Sequence, residues 1–330
     1  MELERLGKYE LLARLGQGGM GEVWKARDTQ LQRYVAIKLL HADLQAQPDF
    51  VAHFMREARF VASLHHPNIV QIHDFELTNT GGSRARAYMV MDYIEGGTLA
   101  DYMRDTVRKG FFPPATDIID LFAAISLALD YAHRQAMIHR DIKPANILLD
   151  KTTGAKAPGE PILTDFGIAR LQGPGSSTLS YALVGTPLYI SPEQAEGRPV
   201  DERSDLYSLG IVLYEMLTGV TPFHADNPIA IMMKHVHEQP RPPALINARI
   251  SPALSAVVLR SIAKEPQDRF PSATAMTVAL AGAFNVPLPA SLISTGSLMG
   301  GPMNVKPTGN RSNTNPAGTV MSGNPPTAAA

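Results

Sequence analysis

From Tyr9 to about Leu40 the chain reads as strand material broken by glycine and turn residues. Tyr9-Glu10-Leu11-Leu12 opens the stretch, a glycine cluster follows, and Val35-Ala36-Ile37-Lys38 is a short β-rich run. Phe50, Phe54, Ala58 and Val61 then recur at helical spacing between Asp49 and Leu64, and His66-Pro67-Asn68 breaks that helix. Ile69–Phe75 and Ala87–Tyr93 read as two further strands around a Gly/Ser/Arg-rich turn at Thr80–Arg86. One helix among several strands makes a small β-rich unit.

The period changes from Thr98 onward. Ile118, Leu121, Phe122, Ile125, Leu129 and Ala132 form one face of an amphipathic helix, and the pattern predicts later helices over Ser204–Leu217, Pro228–His237 and Ser251–Ala263. A mainly helical unit therefore follows the β-rich one, with the boundary near Glu95-Gly96-Gly97: residues 1–95, then 96–285. From 286 to 330 the chain is dominated by Pro, Gly, Ser, Thr, Asn and Ala, with Lys306 and Arg311 its only charges. Such a segment buries too little apolar surface to offset its ordering entropy and reads as a disordered tail or linker.

Composition narrows the picture. Thirty basic and 31 acidic residues leave a formal net charge of −1, so no global attraction draws the chain to nucleic acid or anionic lipid. Cysteine is absent, which excludes disulfides, thiolate metal sites and a cysteine nucleophile. The most apolar stretches, Leu121–Ala132 and Leu209–Leu217, are short and carry Asp130 and Glu215; neither reaches the roughly 20 apolar residues that a bilayer crossing needs. The start, Met1-Glu2-Leu3-Glu4-Arg5, lacks the apolar run of a signal peptide.

Three motifs carry chemistry. Leu15-Gly16-Gln17-Gly18-Gly19-Met20-Gly21-Glu22-Val23 spaces its glycines as G-x-G-x-x-G, and backbone without Cβ atoms can approach triphosphate oxygens closely. A dinucleotide-binding fold would open a long helix here; strand-like sequence continues instead, which favours a hairpin over nucleotide phosphates. Lys38 ends Val-Ala-Ile-Lys, where a strand lysine is costly to desolvate without an opposite charge, and the helical Glu57 downstream can supply one.

His139-Arg140-Asp141-Ile142-Lys143-Pro144-Ala145-Asn146-Ile147-Leu148-Leu149 gathers acid, base and amide directly before an apolar strand. Asp141 can accept or orient a substrate hydroxyl proton, Lys143 can screen a transferring phosphoryl group, and Asn146 can offer oxygen to a hard cation. In Ile162-Leu163-Thr164-Asp165-Phe166-Gly167 a carboxylate projects from the end of an apolar run, suited to a metal that bridges nucleotide phosphates. Turn and cap roles explain each residue singly but not the set.

In this order the motifs resemble the eukaryotic-like (Hanks-type) Ser/Thr protein kinases, and especially the bacterial receptor-type branch, over about residues 7–283. The resemblance implies an α+β, bilobal kinase fold: a small β-rich N-lobe with one key helix and a larger, mainly α-helical C-lobe, with ATP in the cleft. It implies Mg²⁺ (Mn²⁺ as a substitute) on Asn146 and Asp165, Lys38 on the α- and β-phosphates, and Glu57 as its helix partner. Asp141 becomes the catalytic Asp. Met91 falls at the gatekeeper, with Asp92 and Ile94 offering backbone to adenine and Val23, Ala36 and Leu148 flanking the base. Val61, Ile72, His139 and Phe166 would stack between the lobes. Ser191-Pro192-Glu193 stands where the family has Ala-Pro-Glu, Glu193 would pair with Arg269, and Asp205 would brace the catalytic loop.

Lys143 two residues after Asp141, and Gly185-Thr186-Pro187 further on, resemble the Ser/Thr type, with Thr186 touching Asp141 and Lys143. The implied enzyme is a non-specific serine/threonine protein kinase that acts on protein hydroxyls and on itself, with Thr178 and Ser180 as autophosphorylated positions. A pseudokinase or nucleotide-binding scaffold is the alternative, and a small-molecule phosphotransferase a third reading. Pairing through the small lobe as a homodimer is a family property. The kinase domain is expected in the cytoplasm, and the tail is either an autonomous terminus or a linker to a membrane span and sensor domain.

Overall fold

The computed structural model describes residues 4–19, 21–41, 48–78, 86–152, 158–166 and 186–293. Six antiparallel strands open the chain: β1 (Arg5–Leu6), β2 (Tyr9–Gly18), β3 (Gly21–Asp28), β4 (Arg33–Leu40), then β5 (Ile72–Thr78) and β6 (Arg86–Asp92), arranged in the order β1-β2-β3-β4-β6-β5. Helix α1 (Pro48–Ala62) interrupts them. The two-residue period of a strand splits this sheet's side chains between two cores. Val35 and Ile37 join Leu6, Tyr9, Leu11, Ala26, Tyr88 and Val90 on one face, while Ala36 between them joins Met91 on the other.

A second, three-stranded sheet lies below, formed by β7 (Gly96–Thr98), β8 (Ile147–Asp150) and β9 (Glu160–Leu163). Around it are helices α2 (Leu99–Asp105), α3 (Ala115–Arg134), α4 (Pro192–Ala195), α5 (Arg203–Thr218), α6 (Pro228–His237), α7 (Pro252–Ser261) and α8 (Ala273–Phe284). The fold is the expected one: a β-rich small lobe and an α-helical large lobe. The segment that leads into β5 bridges to β9, since Val70 N donates to Leu163 O at 2.9 Å and Leu163 N to Asn68 O at 2.8 Å.

The predicted α3 face is buried at all six positions. Asp130, the charge within that apolar stretch, accepts the amides of Ala273 (2.9 Å) and Thr274 (3.0 Å), so it satisfies orphan donors at the start of α8. Every residue of α5 from Ser204 to Thr218 is buried, and the helix ends at Gly219, whose left-handed φ of 82° lets its amide cap Glu215 O. Gly210 of α5 is there for close approach: a Cβ would stand 2.7 Å from the Ser261 Cβ. Among the described residues no helix is long and apolar enough to cross a membrane.

The start of the segment read as a tail does not behave as one. Val286 donates its amide to Ala281 O at 3.1 Å, Val286 and Leu288 pack on the large-lobe core, and Leu292 is 4% exposed. Residues 294–330 lie outside the described residues.

Between α5 and α6, His235 is fully buried against Phe223 and Tyr207, with the Tyr207 hydroxyl 3.0 Å from Nδ1. Burial, with Lys264 nearby, pushes its pKa down to about 3. The unfolded chain takes up this proton near pH 6.5 and the folded one does not, so the stability due to neutral His235 is present above 6.5 and is lost as pH falls. The wild type should lose about 2 kcal/mol more than His235→Gln between pH 7.5 and 5 in urea titrations. Equal losses would show that the imidazole is charged in the folded state.

Candidate active site

The glycine motif forms the β2–β3 hairpin, with Gly16 opposite Val23, Gln17 opposite Glu22 and Gly18 opposite Gly21; Met20 lies outside the described residues. Its glycines do different work. A Cβ on Gly16 or Gly18 would meet nothing within 4 Å, whereas one on Gly21 would stand 1.9 Å from Leu39 O, where β3 and β4 run together. Beneath the hairpin Val23, Ala36, Met91, Ile94 and Leu148 converge on one apolar slot, and Leu15 is half exposed at the hairpin. Val70 and Ile162 complete the slot. Sequence reading missed both, because each sits in an ordinary apolar run and only the bridge from the segment before β5 to β9 brings them together.

Lys38 and Asp165, far apart in sequence, form an ion pair at 2.7 Å. Glu57 stands in α1, but its side chain lies outside the described set. Burial pushes the Asp165 carboxyl up, and the Lys38 ammonium, aided by Lys143 and His139, more than offsets this and holds it below the usual carboxylate range. Its backbone takes a left-handed φ of 58°, costly for most L-residues but tolerated by Asp. Phe166 stacks on the buried His139 ring at 4.4 Å, and Val61, Ile72 and Phe166 share the large core. His139 Nε2 lies 3.1 Å from Thr164 O.

Asp141 accepts from Lys143 Nζ at 2.7 Å and from Asn146 Nδ2 at 2.9 Å. Asn146 also reaches Asp141 O at 2.9 Å and takes Thr164 N on its own carbonyl at 3.0 Å, which ties this loop to the Asp165 corner. The loop turns at Arg140, whose φ of 62° is left-handed. Asp205 of α5 holds that turn, accepting the amides of His139 (2.8 Å) and Arg140 (2.7 Å). Burial would push the Asp205 carboxyl up; His133, at 2.8 Å, outweighs this and lowers it. Gln194 Nε2 bonds Arg140 O at 2.9 Å. His133 and Gln194 were not singled out from sequence, although Ser191-Pro192-Glu193-Gln194 carries the S-x-x-Q spacing of a capping box, which α4 forms.

Glu193 and Arg269 pair as expected, through two bonds of 2.7 and 2.8 Å, both side chains almost fully buried. Ser204 also donates to Glu193. Thr186 follows the segment that lies outside the described residues. It is exposed, its carbonyl accepts Leu188 N at 2.9 Å, and among the described residues no hydrogen bond joins its hydroxyl to Asp141 or Lys143. Thr178 and Ser180 lie outside the described residues.

The donor set suits magnesium. Both hydrogen bonds of the Asn146 amide run through Nδ2, leaving its oxygen and Asp165 Oδ2 uncommitted among the described residues. No cluster of three or more His, Asp or Glu side chains that could hold a metal occurs among those residues. Magnesium needs none, since it is commonly bound by one or two carboxylates with substrate phosphates supplying further oxygens.

Comparison with known proteins agrees with this geometry. Residues 9–279 match the model of the protein kinase domain. The chain is 43% identical over 284 residues to serine/threonine-protein kinase PknB of Mycobacterium tuberculosis, covering 84% of this chain and 43% of that one. It is 45% identical over 271 residues to PknB of Mycolicibacterium smegmatis, covering 82% and 42%. Thus it spans about two fifths of the length of these curated relatives. The crystal structure of the M. tuberculosis PknI kinase domain superposes with a TM-score of 0.65 at 27% identity, covering 84% of this chain and 96% of that one. With the slot, the Lys38–Asp165 pair and the Asp205-braced loop in place, the match over residues 9–279 assigns the chain to the protein kinase domain family.

Proposed function

We propose that this chain is a serine/threonine protein kinase that moves the γ-phosphoryl group of ATP to Ser and Thr hydroxyls of proteins, itself included. One observation carries the reading: Lys38, Asp165, Asn146, Asp141 and Lys143 are linked through short contacts and one shared loop at the mouth of an apolar slot. Adenine fits the slot, with the Asp92 and Ile94 backbone at its edge. Lys38 neutralises the α- and β-phosphates once released by Asp165, and Glu57 is its partner on α1. Asn146 and Asp165 would hold magnesium, which supplies charge neutralisation across the phosphates. Asp141 accepts or orients the proton of the attacking hydroxyl, and Lys143 screens the moving phosphoryl group. Thr186 belongs to the substrate shelf and closes on Asp141 and Lys143 when a substrate is seated.

Incubation with labelled ATP, magnesium and a protein substrate, followed by acid hydrolysis, should yield phosphoserine and phosphothreonine. Predominant phosphotyrosine would overturn the substrate class. Mass spectrometry should find phosphate on Thr178 and Ser180 in the wild type and none in Lys38→Met; equal occupancy in both would exclude autophosphorylation. The resemblance to the receptor-type branch and the greater length of the relatives support a cytoplasmic kinase domain whose tail leads toward a membrane-anchored sensor.

A further inference from the structure

The sheet face above the adenine slot continues outward to a cluster that none of these roles uses. Lys25 pairs with Ala36 across β3 and β4. Tyr34 stands two residues before Ala36 and so shares its face, while Tyr93 follows β6 in the linker between the lobes. The Lys25 ammonium lies 4.3 Å from the Tyr34 ring centre and 4.2 Å from that of Tyr93. The two rings are 6.4 Å apart at 65°. Among the described residues Lys25 has no carboxylate partner, so the two rings alone hold its charge.

A cation between two aromatic faces is attracted by both quadrupoles, and here the rings belong to different parts of the slot. Tyr34 is on the ceiling strand. Tyr93 sits between Asp92 and Ile94, the residues whose backbone edges the adenine site. The linker is already gripped on its other flank, where Asp92 N donates to Gln71 O at 3.0 Å and His73 Nε2 lies 2.7 Å from the Asp92 carboxylate. Lys25 supplies the opposing grip.

We infer that Lys25 is a positioning residue for the nucleotide: held between Tyr34 and Tyr93, it fixes the height of the linker backbone against Ala36 and Val23, and with it the width of the slot that receives the adenine ring. The inference deepens the kinase reading and rests on it.

Calorimetric titration of the full chain with adenosine and with ATP tests it, beside steady-state kinetics. Lys25→Met keeps the aliphatic stem and removes the charge. Both ligands should bind about 3- to 10-fold more weakly, the KM for ATP should rise by the same factor, and kcat should stay within about two-fold. Lys25→Arg should restore affinity, because a guanidinium sits over aromatic faces equally well. Tyr34→Leu, at an exposed position, should reproduce the loss and Tyr34→Phe should not; this pair reads the contact even if Lys25→Met fails to fold. Unchanged adenosine affinity in both Lys25→Met and Tyr34→Leu would overturn the inference alone. A loss confined to ATP would place Lys25 on the phosphates and overturn it too. A wild type that binds neither ligand would overturn the kinase reading and the inference with it.

Discussion

Asp141→Asn is expected to lower kcat by about a hundred- to ten-thousand-fold, the range lost when a positioned general base is removed, with the KM for ATP little changed. Asparagine has the shape of aspartate, so the loop held by Asp205 should persist. What goes is the negative charge that now binds Lys143 at 2.7 Å and that would receive the hydroxyl proton. Asp141 is not one of the side chains that line the apolar slot, so nucleotide affinity measured by titration should stay near wild type. A variant that keeps a tenth or more of the activity would remove Asp141 from the centre of the reaction and favour a mechanism of positioning alone.

Arg269→Met should produce the largest loss of stability, about 3–5 kcal/mol, because it leaves a carboxylate buried without its cation. Glu193 is 1% and Arg269 2% exposed. Burial by itself pushes the Glu193 carboxyl up, and the paired guanidinium more than reverses this. Arg269 also donates to the carbonyls of Ala263, Lys264 and Arg203, so the segments at Glu193, Arg203 and 263–264 all lose a tie at once. Urea titration at pH 7.5 would measure the loss, and a melting temperature on the order of 10 °C lower would accompany it. The double variant Glu193→Leu/Arg269→Met should recover part of it, since an apolar pair can replace a buried ion pair at little net cost. A single variant within about 1 kcal/mol of wild type would show that water reaches this pair.

The helices whose apolar residues keep a clear period were legible before the structure. Pro228–His237 coincides with α6 at both ends, and Ser204–Leu217 differs from α5 by one residue at each. Helix α8 was not visible: Ala273–Phe284 is small and apolar nearly all round, so it has no polar face to reveal a period, and it earns its place by packing against α3 and α7. Strands β7 and β9 are three and four residues long and acquire meaning only through pairing with β8. The site divides in the same way. Local motifs named Asp141, Lys143, Asn146 and Asp165, but Val70, Ile162 and His133 act through contacts between distant segments that no spacing encodes. The Lys38–Asp165 pair was not foreseen either, because both residues were assigned to phosphates and metal, and each is the other's nearest available charge among the described groups.

Helix α5 is where folding and function share one support. Asp205 pins the catalytic turn, Ser204 reaches Glu193, Ser208 Oγ holds the Tyr189 carbonyl at 2.7 Å, and Glu215 takes the Tyr189 hydroxyl at 2.5 Å. Loosening of this rod would release the catalytic turn and the Tyr189–Glu193 segment together. On the kinase reading, heat inactivation and melting of the large lobe are therefore expected to coincide, with no partly molten form that keeps turnover.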